Sequence, residues 1–418
     1  CRMGESGKAE GGGRAVKIFY RRDADSIKTV LRMALFRGRI QNQHVSEHRE
    51  AVQMTGSERE GESMPTISLC MIVKNEEKHI ARCLDSVAGL VDEIIIVDTG
   101  SSDRTVEIAS RYTPRVYSYP WKDDFSDARN HAFSKATMDY CMWMDADDVL
   151  EEAERAGFLK LKQTLPPDTD MVMMKYNTAF DEAHRPSFSY FRERWIRNRA
   201  GFRWVGAVHE VIPPKGRTIY SDIAISHRKE GAGDPDRNLR IYRGMIAEGK
   251  PLEPRQQYYY GRELYYHGEY EEAVSVFERF LLEEDGWIEN KIEACSVCAA
   301  CYYRLGQEQA ALSMLLRSMS YDLPRAELCC EIGKHFLERG NCRIAVYWYE
   351  AALNMPKRER SDGFVQPDCY DYVPLLQLCV CYDRLGDRQK AMEYNERAGA
   401  CKPYSQAYLY NKQYFGSL

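Results

Sequence analysis

The sequence predicts an α/β domain on a mostly parallel sheet, followed by an all-α solenoid of helical repeats. Three observations predict it. Compact apolar runs alternate with stretches of helical periodicity from Thr66 onward, as strands alternating with crossover helices do. Strand-like runs then stop at about residue 250. Beyond that point a Gly followed five residues later by Ala recurs at Gly268, Gly306, Gly340 and Gly386.

The elements follow in chain order. Residues 1–63 hold Gly11, Gly12 and Gly13, scattered arginines and few sustained apolar periods. Apart from a short helix at Ser26 to Leu35, this stretch is expected to be a poorly ordered extension, because it buries too little to offset the entropy of ordering. The working polypeptide is expected to begin at Met64. Ile67 to Val73 is the first strand, and Ile80, Cys83, Leu84 and Val87 mark a helix after it. Ile94 to Val97 is an unbroken β-branched run, as a strand covered on both faces requires. Asp103 is the expected N-cap of a helix reaching Tyr112, Val116 to Tyr119 the third strand, and Phe125 to Ala136 the next helix. Tyr140 to Met144 is a fourth strand, running into Asp145, Ala146, Asp147 and Asp148. The last strand-like run is Thr218 to Ile225. These elements define a domain over residues 64–250, with ligand chemistry expected at the C-terminal strand ends.

The repeats occupy residues 251–418. The four glycines are separated by 38, 34 and 46 residues, and the longest interval holds the polar insert Pro356 to Pro367. A helix-turn-helix unit of about 34 residues matches the tetratricopeptide period, with Gly at the turn and Ala where the paired helices approach. Such surfaces make a homodimer plausible.

Composition narrows the function. Among 418 residues, 58 Lys and Arg against 63 Asp and Glu leave a net charge of −5, which gives no sign of a nucleic-acid binder resting on a net positive surface, so no nucleic-acid partner is expected. Apolar runs such as Ile94 to Val97 fall far short of the roughly 20 residues that cross a bilayer, so no transmembrane segment and a cytoplasmic location are expected. Ten of the 14 cysteines lie after residue 290. Cys295, Cys298 and Cys301 sit three apart, compatible with a metal cluster or with small apolar filler on a buried helix face. The second reading is preferred, since no histidine or second Cys pair follows at ligand spacing.

The chemistry gathers at Asp145 and Asp147. Two carboxylates at a strand terminus can share a hard divalent cation with diphosphate oxygens. The competing reading is a helix N-cap, with Asp147 or Asp148 leading into Leu150, Glu151 and Glu152. Context favours the first: an earlier strand ends at Asp98, and Asp124 to Asn130 lies between.

Five phrases in register, Leu69 to Glu77, Ile95 to Asp103, Phe125 to Asn130, Trp143 to Asp148 and Gly206 to Glu210, resemble those of the family 2 glycosyltransferases of the GT-A fold over roughly residues 65–230. The resemblance implies inverting transfer of a sugar from a nucleotide-sugar donor, a UDP-sugar first among them, assisted by Mg2+ or Mn2+. It places Asn75, Glu76 and Asp98 around the nucleotide base and ribose, with Thr99 standing where many members carry a second Asp. Arg129 would face the diphosphate, a guanidinium suiting phosphate oxygens; its alternative is a surface salt bridge to Asp124 or Asp127. Asp145 would lie near the donor ribose and share the metal, Asp147 would bind the metal directly, and His227 would complete the shell. Glu210 is the implied base that takes the acceptor's proton, with His209 as substitute; the bland alternative for both is a solvated strand edge.

Fusion of this pattern to helical repeats resembles peptide and protein glycosyltransferases, including the peptide S-glycosyltransferases of bacteriocin clusters. A peptide, protein or glycan acceptor is therefore expected. The competing class is a non-catalytic tetratricopeptide scaffold with a nucleotide-sugar-binding domain, against which four retained acids, Asp98, Asp145, Asp147 and Glu210, argue. A nucleotidyltransferase would show a Gly-rich loop after the first strand, and Val73 to Glu76 has none.

Overall fold

The chain forms its sheet around Ile67–Val73 (β1), whose alternate residues serve two cores, as the period-2 geometry of a strand dictates. Ile67, Leu69, Met71 and Val73 join one cluster and Cys70 the other. The computed structural model describes residues 64–180, 184, 186–229, 234–356 and 365–417. The expectations for residues 1–63, and for most of the insert at Pro356 to Pro367, lie outside the described residues.

Ile80–Ser86 (α1) follows β1 and contributes Ile80, Cys83 and Leu84 to the first cluster. Glu93–Asp98 (β2), Thr105–Ala109 (α2), Val116–Ser118 (β3), Phe125–Ser134 (α3) and Tyr140–Trp143 (β4) come next. Both neighbours of β1, namely β2 and β4, pair with it in parallel, and β3 extends the parallel set at the edge. Ala132 of α3 packs on the second cluster with Ile95 and Val97.

Beyond β4 the chain adds Asp148–Leu150 (β5), Glu152–Thr164 (α4), Met171–Phe180 (β6), Pro186–Arg197 (β7) and Thr218–His227 (β8). The sheet order is β3-β2-β1-β4-β7-β6-β8-β5. Pairing is antiparallel at β4 with β7, β6 with β7 and β5 with β8, and parallel at β6 with β8.

Two sequence expectations change here. The helix after β2 starts at Thr105 and stops at Ala109, with Arg104 at its N-cap; Asp103 sits one residue earlier, accepting from the Thr105 backbone N–H at 2.9 Å. The helix-cap reading of Asp147 and Asp148 fails, because Asp148 opens strand β5 and Glu151 stands at the N-cap of α4.

The helical region opens with Arg237–Ala247 (α5) and continues as four antiparallel pairs: Pro254–Tyr266 (α6) with Tyr270–Phe280 (α7), Ile288–Arg304 (α8) with Glu308–Arg317 (α9), Ala326–Glu338 (α10) with Cys342–Asn354 (α11), and Tyr372–Arg384 (α12) with Arg388–Cys401 (α13). Gln406–Gly416 (α14) ends the described chain. Gly268, Gly306, Gly340 and Gly386 form the intra-pair turns at φ of 78°, 72°, 76° and 84°, a left-handed conformation that glycine adopts without steric cost. The paired residues Ala273, Ala311, Ala345 and Ala391 are fully buried.

The chain divides into two compact units between Leu323 and Pro324. One holds the sheet with the first two helix pairs. The other holds the last two pairs around Ala326, Cys329, Leu337, Tyr349, Leu378 and Cys381. Of the ten late cysteines, nine are buried and Cys401 is exposed. Burial pushes the Cys295 and Cys301 thiols up to about 12, which keeps them protonated and apolar. Among the described residues no helix is long and apolar enough to cross a membrane.

Candidate active site

The parallel strands β1, β2 and β4 end together, and their C-terminal loops collect the polar residues. Asn75 takes φ of 55°, a left-handed conformation that Asn tolerates better than most residues. Its backbone N–H donates to Ser101 Oγ at 2.9 Å, and its Oδ1 accepts from the Ser102 N–H at 2.8 Å, lacing the β1 loop to the β2 loop. Asp98 accepts from the backbone N–H groups of Gly100 and Ser101, each at 3.1 Å to Oδ2. Thr99 donates its hydroxyl to the Val73 carbonyl at 3.1 Å, a backbone tie within the sheet. Glu76 contacts His79 Nδ1 at 2.9 Å; burial raises its carboxyl above the usual range, and the negative charges of Asp147 and Asp145 add to the rise.

A second cluster comes from strand register. Pairing of β5 with β8 sets Asp148 opposite His227. His227 Nδ1 lies 3.2 Å from Asp148 Oδ1 and 3.3 Å from Asp147 Oδ1, while the Tyr176 hydroxyl donates to Asp148 Oδ1 at 2.8 Å. Burial opposes a charge on His227, but its hydrogen bonds to Asp147 and Asp148 outweigh that and raise it to about 10. Ligand atoms of Asp147, Asp148 and His227 all lie within 4.8 Å of one another. Two carboxylates and one imidazole fit a hard divalent cation that accepts nitrogen, Mn2+ in particular.

Asp145 belongs to a different constellation. Its Oδ1 receives Arg129 Nη2 at 2.7 Å, and Arg129 Nε donates to Glu210 Oε1 at 2.7 Å. The guanidinium is buried beside the Trp143 and Trp204 rings, 4.8 and 5.0 Å from their centroids. Asp145, expected to share the metal with Asp147 and His227, thus accepts from Arg129, while Asp148 stands with Asp147 and His227 within 4.8 Å. Arg129, expected to face a diphosphate, has two of its nitrogens committed to carboxylates. The surface salt bridge weighed for it is absent: Asp124 caps α3 by accepting from the Asp127 N–H, and Asp127 pairs with Lys122 at 3.0 Å.

His209 and Glu210 are both buried, so neither is a solvated strand edge. His209 pairs with Glu263 of α6 at 3.2 Å. Sequence reasoning missed Tyr176 of β6 and the buried Arg192, Glu193 and Arg194 of β7. Arg194 Nη1 lies 3.2 Å from Asp148 Oδ2, and its guanidinium stands 3.8 Å from the Trp143 centroid. Glu193 holds Arg192 at 2.9 Å and accepts from the Ile212 N–H at 3.1 Å. The available signal was three consecutive charges, Arg192 to Arg194, inside the aromatic run from Phe191 to Trp195.

Residues 68–218 match the family described as Glycosyl transferase family 2. Over 304 residues the chain is 30% identical to a TPR repeat-containing protein of Synechococcus elongatus, covering 71% of this chain and 68% of that one. Over 228 residues it is 28% identical to the SPbeta prophage-derived glycosyltransferase SunS of Bacillus subtilis, covering 51% of this chain and 53% of SunS. An 89-residue stretch is 38% identical to an uncharacterized glycosyltransferase of Rickettsia typhi, covering 21% of this chain and 30% of that one. The chain therefore spans about two thirds of the cyanobacterial relative and about half of SunS.

Proposed function

Because the chain belongs to the family 2 glycosyltransferases and carries tetratricopeptide repeats, we propose that it moves a sugar, with inversion, from a nucleotide-sugar donor to a peptide or protein acceptor. A UDP-sugar is the first donor to test. The observation that carries this reading is the Arg129 guanidinium, which touches Asp145 of the β4 loop with one nitrogen and Glu210 with another. It ties the donor side of the site to the acceptor side.

Residues 64–250 form the transfer domain in this reading, and residues 251–418 present the acceptor, since stacked repeats suit extended peptides. Asn75, Glu76 and Asp98 hold the nucleoside. Asp147, Asp148 and His227 would hold a divalent cation, with Asp145 at the ribose side. When bound, Mn2+ or Mg2+ supplies Lewis-acid stabilisation of the departing diphosphate.

Glu210 takes the proton from the attacking acceptor group. Arg129 fixes the direction of its carboxylate through Oε1. A hydroxyl acceptor makes the larger demand on this base. A thiol, with an ordinary pKa near 8.5, makes a smaller one and suits a peptide cysteine.

The test is a panel of nucleotide sugars with Mn2+, read by mass spectrometry for nucleoside diphosphate release and for peptide mass increase. Wild type should release the diphosphate and Asp147→Ala should not. Glu210→Gln should keep donor binding while losing about 100-fold or more in transfer. A wild type inert to every donor and indistinguishable from Asp147→Ala sinks the reading.

A further inference from the structure

Glu210 is the last residue of a five-residue loop, Gly206 to Glu210, pinched at its base by the Val205 and Val211 bridge with backbone hydrogen bonds of 2.9 and 3.1 Å. Its neighbour His209 holds φ of 55°, which crowds an L side chain and persists only where surroundings impose it. The surroundings come from the first repeat helix. The His209 ring stacks on Tyr259 of α6, centroids 4.0 Å apart and planes 16° apart. His209 Nε2 lies 3.2 Å from Glu263 Oε1, and Arg255 Nη2 donates to the His209 carbonyl at 3.4 Å. Glu263 is itself steadied by Asn238 of α5, whose Nδ2 donates to the same Oε1 at 3.0 Å.

We infer that Glu263 is a positioning residue for glycosyl transfer: by anchoring the His209 ring to helix α6 it holds the left-handed turn that aims Glu210. The inference rests on the reading of Glu210 as the base. Protonation agrees with the geometry. Burial lowers His209 below the usual imidazole range, and Glu263, though burial opposes its charge, is held below the carboxylate range by His209. A neutral imidazole donating Nε2–H to an ionised carboxylate satisfies both groups. The next peptide unit then carries Glu210 to Arg129, so a rotation at His209 displaces the base without touching Asp147, Asp148 or His227. The first repeat thus acts on the acceptor side of the site, away from the Asp147, Asp148 and His227 cluster.

The experiment measures nucleoside diphosphate release from a panel of UDP-sugars with Mn2+ and water as acceptor, UDP affinity by calorimetry, and thermal unfolding. It uses the full chain as wild type, Glu263→Ala and Glu263→Gln. Misplacing the base by about 1 Å costs about 100-fold, so Glu263→Ala should lose about that much in kcat while its KM for donor, UDP affinity and Tm stay near wild type. Glu263→Gln, whose amide oxygen still accepts from Nε2–H, should recover most of the loss. A folded Glu263→Ala at wild-type kcat overturns the inference while the active wild type upholds the transferase reading. A fall in kcat matched by loss of UDP affinity and Tm, unrescued by Gln, also overturns it. An inert wild type overturns both. Should Glu263→Ala fail to fold, His209→Gly decides, since Gly accepts the left-handed φ without the ring: loss of kcat at unchanged UDP affinity supports the anchor, and parity overturns it.

Discussion

Arg129 Nε donates to Glu210 Oε1 at 2.7 Å, joining two side chains that are each only 2% exposed and lie 81 residues apart in sequence. A buried ion pair adds little net stability over an apolar one, but removing one partner strands the other. Arg129→Met should therefore cost about 3–5 kcal/mol in urea unfolding. Adding Glu210→Gln to Arg129→Met should recover part of that loss. A double variant as unstable as Arg129→Met alone, with no coupling between the changes, would contradict this account of the pair.

Asp147, Asp148 and His227 converge within 4.8 Å. If they hold a divalent ion, Mn2+ binds only the folded chain and stabilises it by about 2.7 kcal/mol at 100 times its dissociation constant. Wild type should therefore melt several degrees higher with Mn2+, and Asp147→Asn and His227→Ala should each lose that increment. Equal shifts in all three proteins would place the ion elsewhere.

The parallel part of the sheet was readable because β1 and β2 are apolar at consecutive positions, a pattern that burial on both faces imposes. The repeats were readable because a left-handed turn selects Gly and a close helix crossing selects Ala, so both recur with the fold. Strands β6 and β7 left no such trace. Lys175, Arg192, Glu193 and Arg194 interrupt their apolar pattern, and three of these are buried only because ion pairs and the Trp143 ring receive them. For the site, sequence order pointed to Asp145 and Asp147 but not to which acid faces His227. That choice is made by the antiparallel register of β5 on β8, which sets Asp148 opposite His227. Register is a tertiary fact, and neither strand announces its partner.

Glu193 makes acid stability testable. Burial opposes its charge, but Arg192 and the Ile212 N–H hold its carboxyl below the usual range. A folded pKa below the unfolded value of about 4.3 contributes stability that is present above that value and lost as pH falls through the folded one, because the unfolded chain then binds the extra proton. Glu193→Gln resembles the protonated residue. The stability gap between wild type and Glu193→Gln, measured by urea titration, should be widest above about pH 5 and should shrink below about pH 4. A gap that stays constant from pH 6 to pH 3 would show that the ionised form contributes nothing.

The repeat seam predicts opposite outcomes for two helical glycines. Gly261 lies seven residues before the turn Gly268, as Gly333 lies seven before Gly340, and a Cβ on Gly261 would come 2.8 Å from the fully buried Phe277 ring. Gly244, in α5, would place a Cβ with nothing within 4 Å. Both replacements by Ala bring the same helix propensity, about 1 kcal/mol. Only Gly261→Ala overpacks, at about 1–3 kcal/mol. Gly244→Ala should therefore raise the urea midpoint, and Gly261→Ala should fall below it by that packing term. Phe277→Leu should narrow the difference by removing the ring edge that the new methyl meets. Equal midpoints for the two Ala variants would mean that α6 and α7 do not approach as closely as the Gly261 contact requires.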